Sequence, residues 1–376
     1  MGAPAVSFVV QSASPAHIAL KFRDALSQVP RATAGLVFCS GAAAQNMETI
    51  AQLFQSLAPS LPMVFLSGPG VLSERGELDE TAAVSGLIWE GGSAELRRVE
   101  AQSELRSDTL GHLLRPLGPR QPPTLLFIRS EDFQPEALWS LRDEFPSPLI
   151  FGAGTYGDPG IVCAGPDGVH KAAAAALHLR GPTVPRVHTA HSCRLLSAPL
   201  PITRHEGALV LEVGGEPALN LVQRIGSALE GQPLVLTVLA NPQADLDSPR
   251  ELLVRGIQGI DPDKRALLVS AEVTDGLLLT FGVRDARAAR ADLESLCRRV
   301  SREIAGASPQ FILYFNCSGR GRALHGTGNV DTRLLRERFV GVPIAGFTCA
   351  FEIAPFAGAP ALQLHTGVLA IFSTPS

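Results

Sequence analysis

Lysine is nearly missing from this chain. Only Lys21, Lys171 and Lys264 stand among 32 basic residues in a total of 376. We read the arginine excess as base composition, not as an arginine-specific function. No Lys/Arg block occurs, and the formal charge is −4 with a pI near 6.2. Without a basic field, nucleic acid and membrane surfaces are not expected partners. No run approaches the roughly 18 apolar residues that a membrane span needs. The start, MGAPAVSFVV, lacks the basic and long apolar segments of a secretory signal, so a cytoplasmic protein is expected. A myristoylation-like Gly2 is set aside, because a strand begins within a few residues. CxxC pairs are missing too. The six cysteines lie far apart, which argues against a zinc ribbon or a disulfide framework and fits reduced thiols.

Apolar side chains are plentiful. Hydrophobic residues make up 45% and charged residues 18%, enough to bury a sizeable core, and the length suggests two domains. The most informative stretch is Phe311 to Gly358. Two apolar runs, FILYF and PIAGF, each end in a polar loop. The first loop carries Cys317, Arg320, Arg322 and His325, and the second carries Cys349 and Glu352. Unusual side chains just past strand ends are where open α/β sheets place ligand sites.

Taken in order, Val6 to Val10 reads as a strand. Ser14-Pro15 starts a helix whose stripe is Ile18, Phe22, Ala25, Leu26 and Val29. Strands follow at 36–39 and 62–66, with a helix at 46–57 between them. A polar turn at 74–80 leads to a return strand at 83–89. A second copy runs through strands at 124–128 and 148–151, a helix at 135–145, and 171–179. Alanine propensity would make 171–179 a helix; the repeat position makes it a strand, and the repeat is followed. A third copy holds strands at 311–315, 343–347 and 365–372, a helix at 331–338, and a broken loop after 347. The strand 277–283 and the helix after Asp285 stand as its first elements, and Cys39 as the counterpart of Cys317. Segments 6–89 and 277–372 are expected to match strand for strand. The middle region departs from the pattern: a strand at 208–213, a helix at 218–229, strands at 234–239, 253–257 and 266–272, and a polar loop at 241–249. The expected fold is α/β, two domains of mixed β-sheets with helical crossovers, built from a duplicated strand–helix–strand–helix–strand–strand unit.

Several segments resemble the FIST family. Cys193-Arg194 with Pro199 and Ile202-Thr203 resembles its glycine-cysteine-arginine-proline segment. Gly215 to Ala218 resembles its "dG-x-PA" turn. Arg255 with Gly259 to Asp261, Arg284 to Ala286 with Asp292-Leu293, and Cys317 with Gly319 to Gly321 match further motifs. Gly346, Phe347, Cys349, Glu352, Ile353 and Pro355 match the GFF-x-x-GEI-x-P loop, and His365-Thr366 its closing pair. The resemblance implies a FIST-N-like domain at 1–206 and a FIST-C-like domain at 207–376. It also implies a ligand-sensing role in signal transduction, with an amino acid or similar metabolite as the ligand. The signal would leave through a protein signalling partner, and no cofactor is implied. Phe351, Leu195 and Ser197 depart from the family's residues, which predicts a narrower or altered pocket.

The candidate ligand-binding residues are Arg194, Arg284, Cys317, Arg320, Cys349, Glu352 and His365. Arg320 either clamps a carboxylate or phosphate or ties two loops together. Asp285 is read as a helix N-cap. Cys317 and Cys349 face one another across strands, or are inert buried thiols. Arg320 and Glu352 are expected on one concave surface, holding a zwitterion between them or bracing each other. Metal binding by Cys317, His325, Cys349 and His365 has no spacing that demands it. A thiol enzyme using Cys317 or Cys349 lacks a nucleophile signature. A protein-interaction scaffold with a vestigial pocket is the remaining alternative.

Overall fold

A computed structural model describes residues 4–115, 121–139, 141, 149–227, 229, 234–242 and 251–374. The chain forms two units. One comprises Met1–Ala190, Leu293–Leu362 and Thr366–Ser376, and the other His191–Asp292 with Gln363–His365.

The first unit opens with β1 (Ala5–Val10), a helix Pro15–Gln28, β2 (Ala32–Ser40), a helix Met47–Leu57 and β3 (Met63–Ser67). A hairpin of β4 (Gly70–Ser73) and β5 (Gly76–Asp79) leads to β6 (Ala83–Glu90). Ser14 starts the first helix by accepting from His17 N, with Pro15 preset for helical φ. Ile18, Phe22, Ala25 and Val29 are buried as the stripe requires, and Phe22 stacks on Phe54 at 3.8 Å. The next set is β7 (Ser93–Glu100), a helix Ser107–Leu114, β8 (Thr124–Arg129), a helix Glu136–Trp139, β9 (Ile150–Thr155), β10 (Ile161–Gly165) and β11 (Gly168–Arg180). The alanines of β11 lie buried between the partner strands β8 and β7, so tertiary packing overrides their helix propensity. β12 (Val184–His191) follows.

The second unit holds β13 (Cys193–Leu195), β14 (Leu200–Glu206), β15 (Leu209–Val213), β16 (Glu216–Pro217), a helix Ala218–Ser227, β17 (Val235–Ala240), β18 (Leu252–Arg255), β19 (Ile257–Asp261), β20 (Ala266–Val269) and β21 (Leu278–Arg284). These strands form one nine-stranded sheet. After a helix Ala286–Glu303, β22 (Pro309–Cys317), helices Gly321–His325 and Val330–Arg338, β23 (Ile344–Cys349), β24 (Glu352–Phe356), β25 (Ala359–Gln363) and β26 (Thr366–Ser373) complete the chain. The remainder of the expected helix 135–145 beyond Leu141 lies outside the described residues. So does most of the 241–249 loop.

One neighbour order recurs three times in the first unit: β1-β6-β2-β3, β7-β11-β8-β9 and β12-β26-β22-β23. In each, the third and fourth strands pair in parallel. Each set also sends an arm onto another set. β10 pairs with β3, β4 with β23, and β24 with β9, all antiparallel. Matching hydrogen bonds fix the correspondence of positions: Gly35 N to Pro62 O at 3.0 Å, Thr124 N to Leu149 O and Ile312 N to Pro343 O at 2.9 Å each. Counting on from these, Phe38, Phe127 and Phe315 share a position. All three lie in one core, where Phe315 meets Phe127 at 5.7 Å and Phe38 at 6.3 Å.

The expected strand-for-strand match of 6–89 with 277–372 does not hold. β21 pairs with β17, β13 and β14 in the second unit's sheet, and the strand beside the return strand β26 is β12. The sequence between β12 and the helix 286–303 is therefore an insertion that carries its own sheet. Cys39 corresponds to Asn316, and Cys317 corresponds to Ser40, so the Cys39–Cys317 equivalence is corrected by one residue. The polar turn at 74–80 holds β5, the hairpin mate of β4, and the broken loop after 347 holds β24. The partners of β4 and β24 lie in other sets, which local sequence cannot show. The compact units also divide the chain at places other than 206/207.

Close approach of neighbouring strands makes one glycine indispensable. A Cβ at Gly346 would overlap the Tyr314 carbonyl of the adjacent strand. Gly346→Ala is expected to destabilise the protein by about 1–3 kcal/mol, read from the midpoint of urea unfolding. An unchanged midpoint would refute this account of the β22–β23 contact.

Candidate functional site

A buried polar network sits at the end of β22. Asp331, in the first turn of the helix Val330–Arg338, accepts from Tyr314 Oη at 2.8 Å and from Arg320 Nε at 2.6 Å. Arg320 Nη2 reaches its other oxygen at 3.4 Å, and His325 Nε2 lies 3.5 Å from that oxygen. Arg320 also donates to Ala190 O at 3.4 Å. The Arg320, His325 and Asp331 side chains are wholly buried. Burial pushes the Asp331 carboxyl up. The Arg320 charge, the nearby His325 ring and the hydrogen bonds from Arg320 and Tyr314 more than offset this and hold it well below the usual carboxylate range.

A second buried carboxyl lies on the arm strand β24. Glu352 corresponds to Val71 and Ile161, because these three face Ala153, Phe347 and Leu66 across the three arm pairings. An apolar position thus carries an acid. Glu352 is fully buried, accepts from Thr366 Oγ1, and receives the Cys349 thiol at 3.1 Å. Burial pushes its pKa up to about 8, against the lowering effect of Thr366, Cys349 and Arg320. The Cys349 thiol is also pushed well up, by burial and then by the Glu352 charge, which opposes a thiolate nucleophile there.

A cavity of about 570 Å³ opens beside the network. Asn316, Cys317, Ser318, Arg320, Gly321, Arg322 and Ala323 line one side, and the arm residues Glu77 to Thr81 another. The arm is pinned to the helix Val330–Arg338. Glu77 accepts from Asn329 N at 2.8 Å and Thr332 N at 3.3 Å, capping the helix N-terminus. Asn329 Oδ1 returns the contact by accepting from Glu77 N at 2.6 Å. Burial raises the pKa of Glu77 and of Asp79; for Asp79 the Arg322 charge acts the other way.

In the second unit, Arg194 is half-exposed and pairs with Asp285 at 3.2 Å. Asp285 is the expected N-cap, accepting from Arg287 N and Ala288 N at 2.9 Å each. Arg284 is the β21 partner of Cys193. His365 accepts from Ser192 N at 3.0 Å through its carbonyl, and burial and the Arg284 charge lower its ring pKa.

Family models match the FIST N domain over residues 33–216 and the FIST C domain over residues 216–355. The chain belongs to the FIST family. FIST domains are generally associated with sensing in signal transduction. An uncharacterized protein of Mycobacterium tuberculosis is 33% identical over 205 residues, covering 52% of this chain and 53% of that protein. An uncharacterized protein of Mycobacterium bovis is 31% identical over 187 residues, 48% of each chain. The chain thus spans about half the length of the curated relatives it matches. A chorismatase crystal structure aligns over the full length of both chains at 10% identity with a TM-score of 0.35, too low to carry an argument.

The FIST motif residues therefore fall into distinct settings. Arg320 and Cys317 line the cavity, whereas Glu352 and Cys349 are buried in the strand layer. Arg320 and Glu352, expected on one concave surface, part company: Arg320 lines the cavity and bonds Asp331, while Glu352 is buried outside that lining and bonds Thr366 and Cys349. Phe351 packs on Gly154 and stacks on Phe133 at 5.1 Å, away from the residues that line this cavity. Among the described residues no three His, Cys, Asp or Glu side chains gather as a metal site. Asp331 escaped sequence reading because an acid in a helix's first turn looks like an ordinary cap. Asn316 left a signal, a lone amide closing an apolar strand.

Two predictions follow from this geometry. Arg320→Ala strands a buried Asp331 carboxylate and is expected to cost roughly 3–5 kcal/mol of stability; a denaturation midpoint within error of the parent would contradict the bracing role. Glu352 keeps its proton in the folded state to about pH 8, against an ordinary value of 4.5. Its contribution to stability is full below the ordinary value and is lost as pH rises toward 8. Glu352→Gln should flatten stability against pH across that interval, and an undiminished slope would assign the titration elsewhere.

Proposed function

We propose that this FIST protein is a small-molecule-binding sensory component of signal transduction, working in the cytoplasm with a protein signalling partner. The single observation that carries the reading is the 570 Å³ cavity at the end of β22, held by a wholly buried Arg320–Asp331 pair. Its volume is large enough to admit a small metabolite, and its polar groups come from a strand end, a loop and an arm. The fixed network preorganises the loop, so little ordering remains to oppose binding. Six cysteines without disulfides support a reducing compartment. No helix among the described residues is long and apolar enough to cross a membrane. The halves 1–206 and 207–376 are proposed as inherited FIST-N-like and FIST-C-like segments, distinct from the compact units.

A thermal-shift screen of amino acids and small metabolites tests the reading. A true ligand at 100 times its Kd should add about 2.7 kcal/mol to stability. Ala323→Trp fills the cavity from its exposed side and should abolish the shift. A saturable shift that Ala323→Trp leaves intact would place binding elsewhere, and a panel without any saturable shift would count against a binder.

A further inference from the structure

Asn316 is 2% exposed, and its Oδ1 has no hydrogen-bond partner among the described residues. The corresponding positions of the other two sets are Cys39 and Ile128, both fully buried in the core. Packing at this position therefore does not require an amide. A buried amide left unpaired is costly unless something bonds it. Asn316 lines the cavity, and so does Thr81, whose buried Oγ1 also has no partner among the described residues.

The charges around that amide have one predominant sign. Glu77, Asp79 and Glu80 line the cavity together with Arg320 and Arg322. Arg320 is neutralised by Asp331, and the Glu77 carboxylate is engaged by the helix N-terminus. What remains for a ligand is Asp79 and Glu80 against Arg322, together with the amide oxygen. A carboxylate oxygen and an amide oxygen accept hydrogen bonds, and both suit an ammonium.

We propose that this cavity takes a small organic cation, whose ammonium group donates to Asn316 Oδ1 and Asp79 while its apolar part lies along Leu78 and Pro69. The inference rests on the ligand-binding reading above and assigns the ligand's charge and the residues that read it. It differs from an arginine clamp on a carboxylate, because the buried Arg320 already holds Asp331.

Titration calorimetry on the full chain tests this with three probes of one size: n-butylammonium chloride, butyramide and sodium butyrate, at constant ionic strength. The expected result is saturable binding of n-butylammonium alone. Asp79→Asn and Asn316→Leu should each weaken it roughly tenfold to hundredfold. Asn316→Leu places an apolar side chain where Ile128 stands in another set, so its melting temperature should hold or rise. Tighter binding of butyrate would overturn the proposal, as would n-butylammonium binding that both variants leave intact. Absence of heat from all three probes would also overturn the cation assignment. The broader reading is judged separately, by the metabolite screen and Ala323→Trp, neither of which depends on the ligand's charge.

Discussion

No strand set in the first unit can close on its own. Each ends in a parallel pair whose outer edge is exposed, and an exposed edge is a row of unpaired N–H and C=O groups. The chain covers each edge with an arm from a different set: β10 on β3, β4 on β23, β24 on β9. The inner faces need one another as well, because Phe38, Phe127 and Phe315 make one shared aromatic core. These pairings fix where the functional loops end up. The cavity exists because the β4–β5 arm lies alongside the end of β22, and Glu352 is buried because its arm pairs with β9.

Much of this architecture is written in periodicity, which is local. The stripe Ile18, Phe22, Ala25, Val29 specifies a helix, and the recurring order of elements correctly makes 171–179 a strand despite its alanines, within β11 at Gly168–Arg180. The arms were not legible. Four or five residues between glycines look like a turn, and their strand character comes only from a partner distant in sequence. The first strand of the last set was misplaced for a related reason. β21 has the right length and is followed by the right helix, yet an inserted unit separates that helix from its own strand, β12.

The site was legible as a list of residues and illegible as a set of pairings. Arginine and glutamate in neighbouring loops suggested opposite charges facing a ligand. The partner Arg320 found, Asp331, sits 11 positions away in a helix start. Charge pairing at that range depends on the path of the loop, which residue type does not encode. The two buried acids have opposite electrostatics for the same reason. Asp331 meets a guanidinium and the Tyr314 hydroxyl and is held ionised. Glu352 occupies a position where Val71 and Ile161 stand, so desolvation dominates and its proton is retained.

The three equivalent strand ends are finished differently by the connectors into the arms. Between β9 and β10 the connector runs Tyr156 to Gly160, and it fills the end of β3: Ser67 donates through its hydroxyl to Tyr156 O, and its amide donates to Gly160 O at 3.0 Å. Between β23 and β24 the connector is Ala350-Phe351, and the Phe351 ring lies on Gly154 at the end of β9. Between β3 and β4 it is Gly68-Pro69, where a Cβ on Gly68 would overlap Thr348 O. This tight connector sends no large side chain inward, and the cavity lined by Pro69, Asn316 and Cys317 lies beside it. The phenylalanine that departs from the family's glycine therefore packs against a different strand end from the one beside Cys317 and Asn316.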